Sequence, residues 1–166
     1  MSIIRLPGNL ILLYPREGQQ QPERATPPRP RPVLFGTDAL LERLTTVGEV
    51  ARRAPLSFLV VRAEGVGREE MAPGSALMAS LAARLLSLTK ATDTVGWFAE
   101  GAFGIVLQGT GATAAGAVAA RLTQHLGALA ELIEPGATVR VSAATGVGLN
   151  ARTLPAAAAT TFGDCG

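Results

Sequence analysis

Side chains able to do chemistry are few in this sequence and widely spaced. It holds one histidine, His125, and one cysteine, Cys165. A lone histidine supplies neither a metal site nor a catalytic dyad, and His125 lies in an Ala/Leu stretch with helical spacing. A single cysteine allows no internal disulfide, which fits a reducing compartment. Lys90 and Asp93 read on their own as a solvated cation and an acid at a helix–strand corner.

Composition narrows the classes further. Among 166 residues, 48% are hydrophobic, only 4% are aromatic and 17% are charged. Such a chain can bury a core of Ala, Leu and Val but has little for aromatic stacking. The formal net charge is +2, and much of the excess sits at Arg16, Arg24, Arg29 and Arg31. This is a poor electrostatic footprint for nucleic acid, which asks for a concentrated basic face. The apolar start, MSIIRLPGNLILLYP, is broken by Pro7 and Gly8. Its runs are far shorter than the roughly 20 residues that span a bilayer, and it lacks the pattern of a signal peptide. These features point to a cytoplasmic protein without a transmembrane segment.

The elements that would position any site follow from periodicity. Residues 1–14 read as an apolar hairpin, Ile3–Leu6 and Leu10–Tyr14 around Pro7-Gly8-Asn9. An isolated hairpin is marginal in water, so it is expected to dock, on its own domain or on a partner's strand. Residues 15–35 read as a linker, with Pro22, Pro27, Pro28, Pro30 and Pro32 among Gln, Glu and Arg. Within it TPPRPRP is either a plain spacer or a ligand for an aromatic groove.

From Thr37 the pattern is helical, with Leu40, Leu41, Leu44 and Val47 on one side. Leu56–Val61 is a continuous apolar run, the sign of a strand covered on both faces. Arg62–Pro73 reads as a loop. A second helix starts near Ser75, with Leu77, Leu81, Leu85 and Leu88 inward. Two strands, Val95–Phe98 and Phe103–Leu107, flank Ala99-Glu100-Gly101-Ala102. A third helix runs from about Ala112 to Leu132, with Val118, Leu122, Leu126 and Leu129 inward. Pro135-Gly136 stops it, and Thr138–Val147 is a last strand. The order predicts an α/β (α+β) fold: a mixed sheet with helices on both faces. The core domain is expected over 36–150, followed by a short alanine-rich tail, 151–166.

Five segments in this order resemble the GGDEF, or diguanylate cyclase, family. GSALMASLAARL (74–85) is similar to the family's GDxLLxxVAxRL helix. TDTVGWFAEGAFGIVLQGT (92–110) is similar to the segment bearing the GGDEF signature. VRVSAATGV (139–147), LSFLVVRAEG (56–65) and GTDALLERL (36–44) resemble its last core strand, its first strand and the stretch after its opening motif. The resemblance covers roughly 36–148 and implies the nucleotidyl cyclase-like sheet. It also implies a chemistry in which the 3′-hydroxyl of one GTP attacks the α-phosphate of another, with divalent metals held by hard oxygen ligands.

At the positions carrying that chemistry the sequence departs. Arg62 stands where the family has a metal-binding Asp, with Glu64 at the second acid of that turn. The signature reads Ala99-Glu100-Gly101-Ala102-Phe103, so Gly101 and Ala102 replace both acids and Glu100 replaces a glycine. Ser75 stands for the guanine-binding Asp, and the loop Val66–Pro73 before it is shorter than the family's and has no Asn. Lys90-Ala91-Thr92-Asp93 falls in register with the family's R-x-x-D inhibitory site for cyclic di-GMP, with Lys90 in place of the bidentate Arg.

The expectation is therefore a degenerate, catalytically inactive GGDEF-like domain, with no cofactor and no metal. It would act as a regulatory protein-interaction module in cyclic di-GMP-related signalling, through a protein partner or a homodimer and not through nucleic acid. The alternative is a weak cyclic di-GMP receptor using Lys90 and Asp93. An active nucleotide cyclase is the third reading. The family continues after its last core strand with a helix and a further strand, for which 154–166 reads as too short.

Overall fold

A computed structural model describes residues 2–5, 11–14 and 33–162. The chain divides into two units, Met1–Arg31 and Pro32–Gly166. In the first, β1 (Ser2–Arg5) and β2 (Ile11–Tyr14) pair antiparallel, with Ser2 opposite Tyr14 and Arg5 opposite Ile11. The expected turn at Pro7-Gly8-Asn9, the prolines of the linker and Cys165 lie outside the described residues.

The second unit runs β3 (Leu34–Phe35), α1 (Thr37–Val50), β4 (Pro55–Glu64), α2 (Ala76–Leu88), β5 (Thr94–Ala99), β6 (Ala102–Gln108), α3 (Ala112–Ile133) and β7 (Thr138–Val147). A 3-10 segment, Gly148–Thr153, then leads into α4 (Leu154–Thr160). The sheet order is β3-β5-β6-β4-β7. Only the β3–β5 pair is parallel; β5–β6, β6–β4 and β4–β7 are antiparallel.

β4 shows why the sheet is covered on both sides. Side chains alternate across a strand. Leu59, Val61 and Ala63 join a core with Leu77, Leu81 and Leu85 of α2 and Leu122, Leu126 and Ala130 of α3. Leu56, Phe58 and Val60 join a second core with Leu40, Leu44 and Val47 of α1 and Leu154 and Ala158 of α4. Gly104, in the middle of β6, permits the close approach of α1. A Cβ there would come within 2.6 Å of both Leu40 Cδ2 and Phe58 Cζ.

Three expectations need correction. Leu34 and Phe35, read as the end of the linker, form a strand beside Val95 and Gly96. Pairing with an open sheet edge outweighs the short run's weak local signal. Arg62–Glu64, read as the start of a loop, belongs to β4, because β7 and β6 both offer partners there: Arg62 lies opposite Arg140 and Ala102. Residues 151–160, read as tail, are part of the core. Ala151, Leu154 and Ala158 are buried, and Ser142 Oγ donates to Ala158 O at 2.6 Å. Alanine-rich sequence forms helix readily, and the exposed face of the sheet gives this helix an apolar surface to cover.

Candidate functional site

The antiparallel register brings three segments to one end of the sheet. β4 ends at Glu64, the β5–β6 turn lies at Glu100-Gly101, and the loop after β4 folds over that turn. They enclose an open concavity of ≈ 460 Å³ lined by Arg62, Glu64, Gly65, Arg68, Met71 and Glu100, with Ala63 and Ala99. The backbone holds it: Ala63 N–H donates to Gly101 O at 2.9 Å. Gly101 has φ +68°, in the left-handed region that favours glycine, and a Cβ there would meet Met71 Sδ at 2.9 Å. The loop therefore sits directly against the hairpin turn.

Charges at this end are arranged in opposed pairs. Arg68 Nε lies 3.4 Å from Glu100 Oε1, and both side chains are exposed. Arg140 Nη1 lies 3.5 Å from Glu64 Oε1 in a half-buried pair. The guanidiniums of Arg62 and Arg140 stand 5.7 and 5.5 Å from the ring centre of Phe162, within cation–π range. Arg62 forms no ion pair among the described residues.

The sequence brought Arg62, Glu64 and Glu100 forward, and the structure gathers all three. Gly101 and Ala102 are buried, Ala102 against the core that carries Phe58. Phe103 is buried on the opposite face and stacks on Trp97 at 4.6 Å between ring centres. Arg68, Met71, Arg140 and Phe162 were missed. Nothing local marks Arg140, which reaches the site only through the pairing of β7 with β4.

The divalent metals implied by the resemblance need several oxygen ligands free of competing cations. Glu64 and Glu100 each face a guanidinium, and Arg62 adds a third cation, so these residues do not fit such an ion. Ser75 is engaged at the start of α2. Its Oγ accepts from Met78 N–H at 3.1 Å and also donates to Glu70 O.

Lys90 and Asp93 lie at the other end of β5. Lys90 N–H donates to Asp93 Oδ2 at 2.9 Å, and Asp93 N–H donates to Lys90 O at 3.0 Å. The Lys90 side chain is exposed. Gln108 Nε2 donates to Thr92 O, and Arg121 Nη2 to Leu88 O. The corner is thus a pinned turn with Arg121 beside it, separate from the concavity.

No protein-family profile matches the sequence, and no curated protein matches it. Solved structures do. The GGDEF domain of FimX from Pseudomonas aeruginosa superposes with a TM-score of 0.60 at 15% identity, covering 83% of this chain and 94% of that one. The chain has a GGDEF fold. The active GGEEF domain of a diguanylate cyclase from Vibrio cholerae gives a TM-score of 0.58 at 18% identity, over 69% of this chain and 78% of that one. The coiled coil and GGDEF domain of DgcB from Caulobacter crescentus, solved with cyclic di-GMP, gives 0.58 at 12% identity, over 79% and 78%. Diguanylate cyclase SiaD from Pseudomonas aeruginosa, solved with its activator SiaC, gives 0.57 at 19% identity, over 80% of this chain and 58% of that one. At these identities the likeness is one of fold.

Proposed function

We propose that this chain is a catalytically inactive GGDEF-like domain that serves cyclic di-GMP-related signalling through contacts with a protein partner or a second copy. One observation carries the reading. Arg62 lies opposite Arg140 and beside Ala102, so guanidinium stands where the resemblance asks for metal-binding carboxylate. Joining two GTP molecules needs their phosphate charge neutralised by metal, and a fixed cation repels that metal. The SiaD structure, a GGDEF-fold protein held with its activator SiaC, is consistent with a fold that receives protein partners. Among the described residues no helix is long and apolar enough to cross a membrane, and we place the protein in the cytoplasm.

The test is turnover of GTP with magnesium by the pure protein. No cyclic di-GMP is expected. Product formed at a rate abolished by Glu64→Gln or Glu100→Gln would overturn the proposal.

A second reading, a weak cyclic di-GMP receptor at Lys90 and Asp93, is favoured by Arg121, whose guanidinium brings a further cation to that corner. Titration with cyclic di-GMP separates the two. On the receptor reading, Lys90→Arg tightens binding and Lys90→Ala with Asp93→Ala removes it. Tight binding that survives the double change would place the ligand elsewhere.

A further inference from the structure

The two edges of the sheet are finished differently. One is β3, only 2 residues long. The other is β7, 10 residues long, and β4 is its one strand partner among the described residues. The outer row of N–H and C=O groups on β7 is thus open to a further strand. Proteins usually blunt such an edge with lysine, proline, a bulge or a short strand. β7 has neither lysine nor proline, and its register with β4 runs unbroken from Thr138 to Val147. Its one charge, Arg140, is taken up by Glu64 and Phe162. Val147, at its end, is 41% exposed.

α3, which packs over β7, supplies an independent observation. Arg121 Nη2 reaches Leu88 O at the end of α2, which marks the flank of α3 that faces α2. At about 100° per residue, Gly116, Ala120, Thr123 and Gly127 fall on the other flank, toward the open edge. Glycine inside a helix weakens it relative to alanine. This chain's own packing does not call for either glycine: among the described residues, a Cβ at Gly116 or Gly127 would meet nothing within 4 Å. Their place on this flank leaves room for a second helix to come close.

Both features share one symmetry. Antiparallel pairing of β7 with itself about Ala144 sets Ala143 opposite Thr145 of the second copy. It also sets half-buried Val141 opposite Val147 and so covers the exposed valine. Arg140 falls at Gly148, past the end of the other strand, so the two arginines do not face each other, an arrangement that would repel. A two-fold midway between Arg121 and Leu122 sets Gly116 opposite Gly127 and Ala120 opposite Thr123. The two centres lie at nearly the same level, since α3 and β7 are joined by the short segment Glu134–Ala137. Ala144 stands about 20 Å along β7 from Thr138 at ~3.3 Å per residue. The Arg121–Leu122 midpoint stands about 17 Å along α3 from Ile133 at ~1.5 Å per residue. We infer that two copies of this chain join through β7 into one continuous sheet, with α3 against α3. The inference rests on the reading of the domain as one that acts through protein contacts, and deepens it by assigning the surface and the second copy.

Sedimentation equilibrium of the full chain tests it, and a monomer–dimer equilibrium is expected. Ala143→Lys puts a blocking charge on the open edge and should abolish the dimer, as should Gly116→Leu. Both positions are exposed, so the variants should fold. The glycine variant has a second readout. Leucine is the better helix former, so its urea midpoint should equal or exceed that of the dissociated parent while the dimer is lost. Ala79→Lys, on the exposed side of α2, should dimerise as the parent does. A chain that stays monomeric at every concentration reached would overturn the inference. So would a dimer that survives Ala143→Lys or Gly116→Leu, which places the contact on another surface. β7 amides that gain protection from exchange only when cell extract is added would assign the edge to a different protein and likewise overturn it. Failure of the proposed function is read separately, as cyclic di-GMP formed from GTP with magnesium.

Discussion

Ser75 shows how one residue's role is settled by its partners. The resemblance places it at a guanine-contacting position, yet its Oγ caps α2 by accepting from Met78 N–H. Loss of such a cap costs about 1 kcal/mol. Ser75→Ala is therefore expected to lower stability by about that amount in urea unfolding, while Ser75→Asp, which can also cap, should come close to the parent. Equal stability of the alanine variant would show that the cap contributes nothing. Gly104 is a second case, set by space. A Cβ would press on Leu40 and Phe58 at once, and both are wholly buried. Overpacking of this kind costs roughly 1–3 kcal/mol. Gly104→Ala should lower the urea midpoint accordingly, and an unchanged midpoint would mean that α1 can shift away from the sheet at no cost.

α4 is the element whose standing changes most between sequence and structure. It is seven residues long, too short to hold as a helix on propensity alone. Tertiary contacts hold it: Leu154 and Ala158 reach the core beside Phe58 and Val60, and Ser142 Oγ ties its backbone to β7. Leu154→Ala should then cost about 2–5 kcal/mol, the range for a buried leucine. An undocked tail would show no loss, so the thermal midpoint of this variant decides the matter. Docking α4 also sets the site, because Phe162 follows directly and receives Arg62 and Arg140 on its ring.

For the whole molecule, the division into Met1–Arg31 and Pro32–Gly166 makes the hairpin a separate unit. Its apolar residues, Ile3, Ile4, Leu6 and Leu10–Tyr14, are expected to seek cover. Burying each large side chain is worth roughly 1.5–3 kcal/mol, against about 1–2 kcal/mol per residue for ordering the backbone. Docking is therefore favoured only where a receiving surface exists, in this molecule or in a partner. Deleting residues 1–14 is expected to leave 36–148 folded, with its near-UV circular dichroism intact, and to reduce solubility or partner binding. Hydrogen exchange supplies the contrary outcome. If the amides of 2–5 and 11–14 exchange freely, even in cell extract, the segment docks on nothing.

Local pattern was enough for most of the elements. The three- and four-residue spacing of Leu40, Leu44 and Val47, and of Leu77, Leu81 and Leu85, marks helix faces, and the unbroken run Leu56–Val61 marks a strand buried on both sides. These signals live within a few residues, and amphipathic faces must be buried somewhere. The absence of acids at Gly101 and Ala102 and the cation at Arg62 are likewise plain in the sequence, once the five family-like segments fix their register. What depended on tertiary structure was every relation across the sheet. Leu34–Phe35 became a strand because β5 had a free edge, and Arg62 entered β4 because β6 and β7 extended beside it. Arg140 and Phe162 joined the site from 78 and 100 positions beyond Arg62 (140 − 62 and 162 − 62), through strand pairing and the docking of α4. Such contacts carry no local signature, because each depends on which partner surface remains open after the rest of the chain has packed.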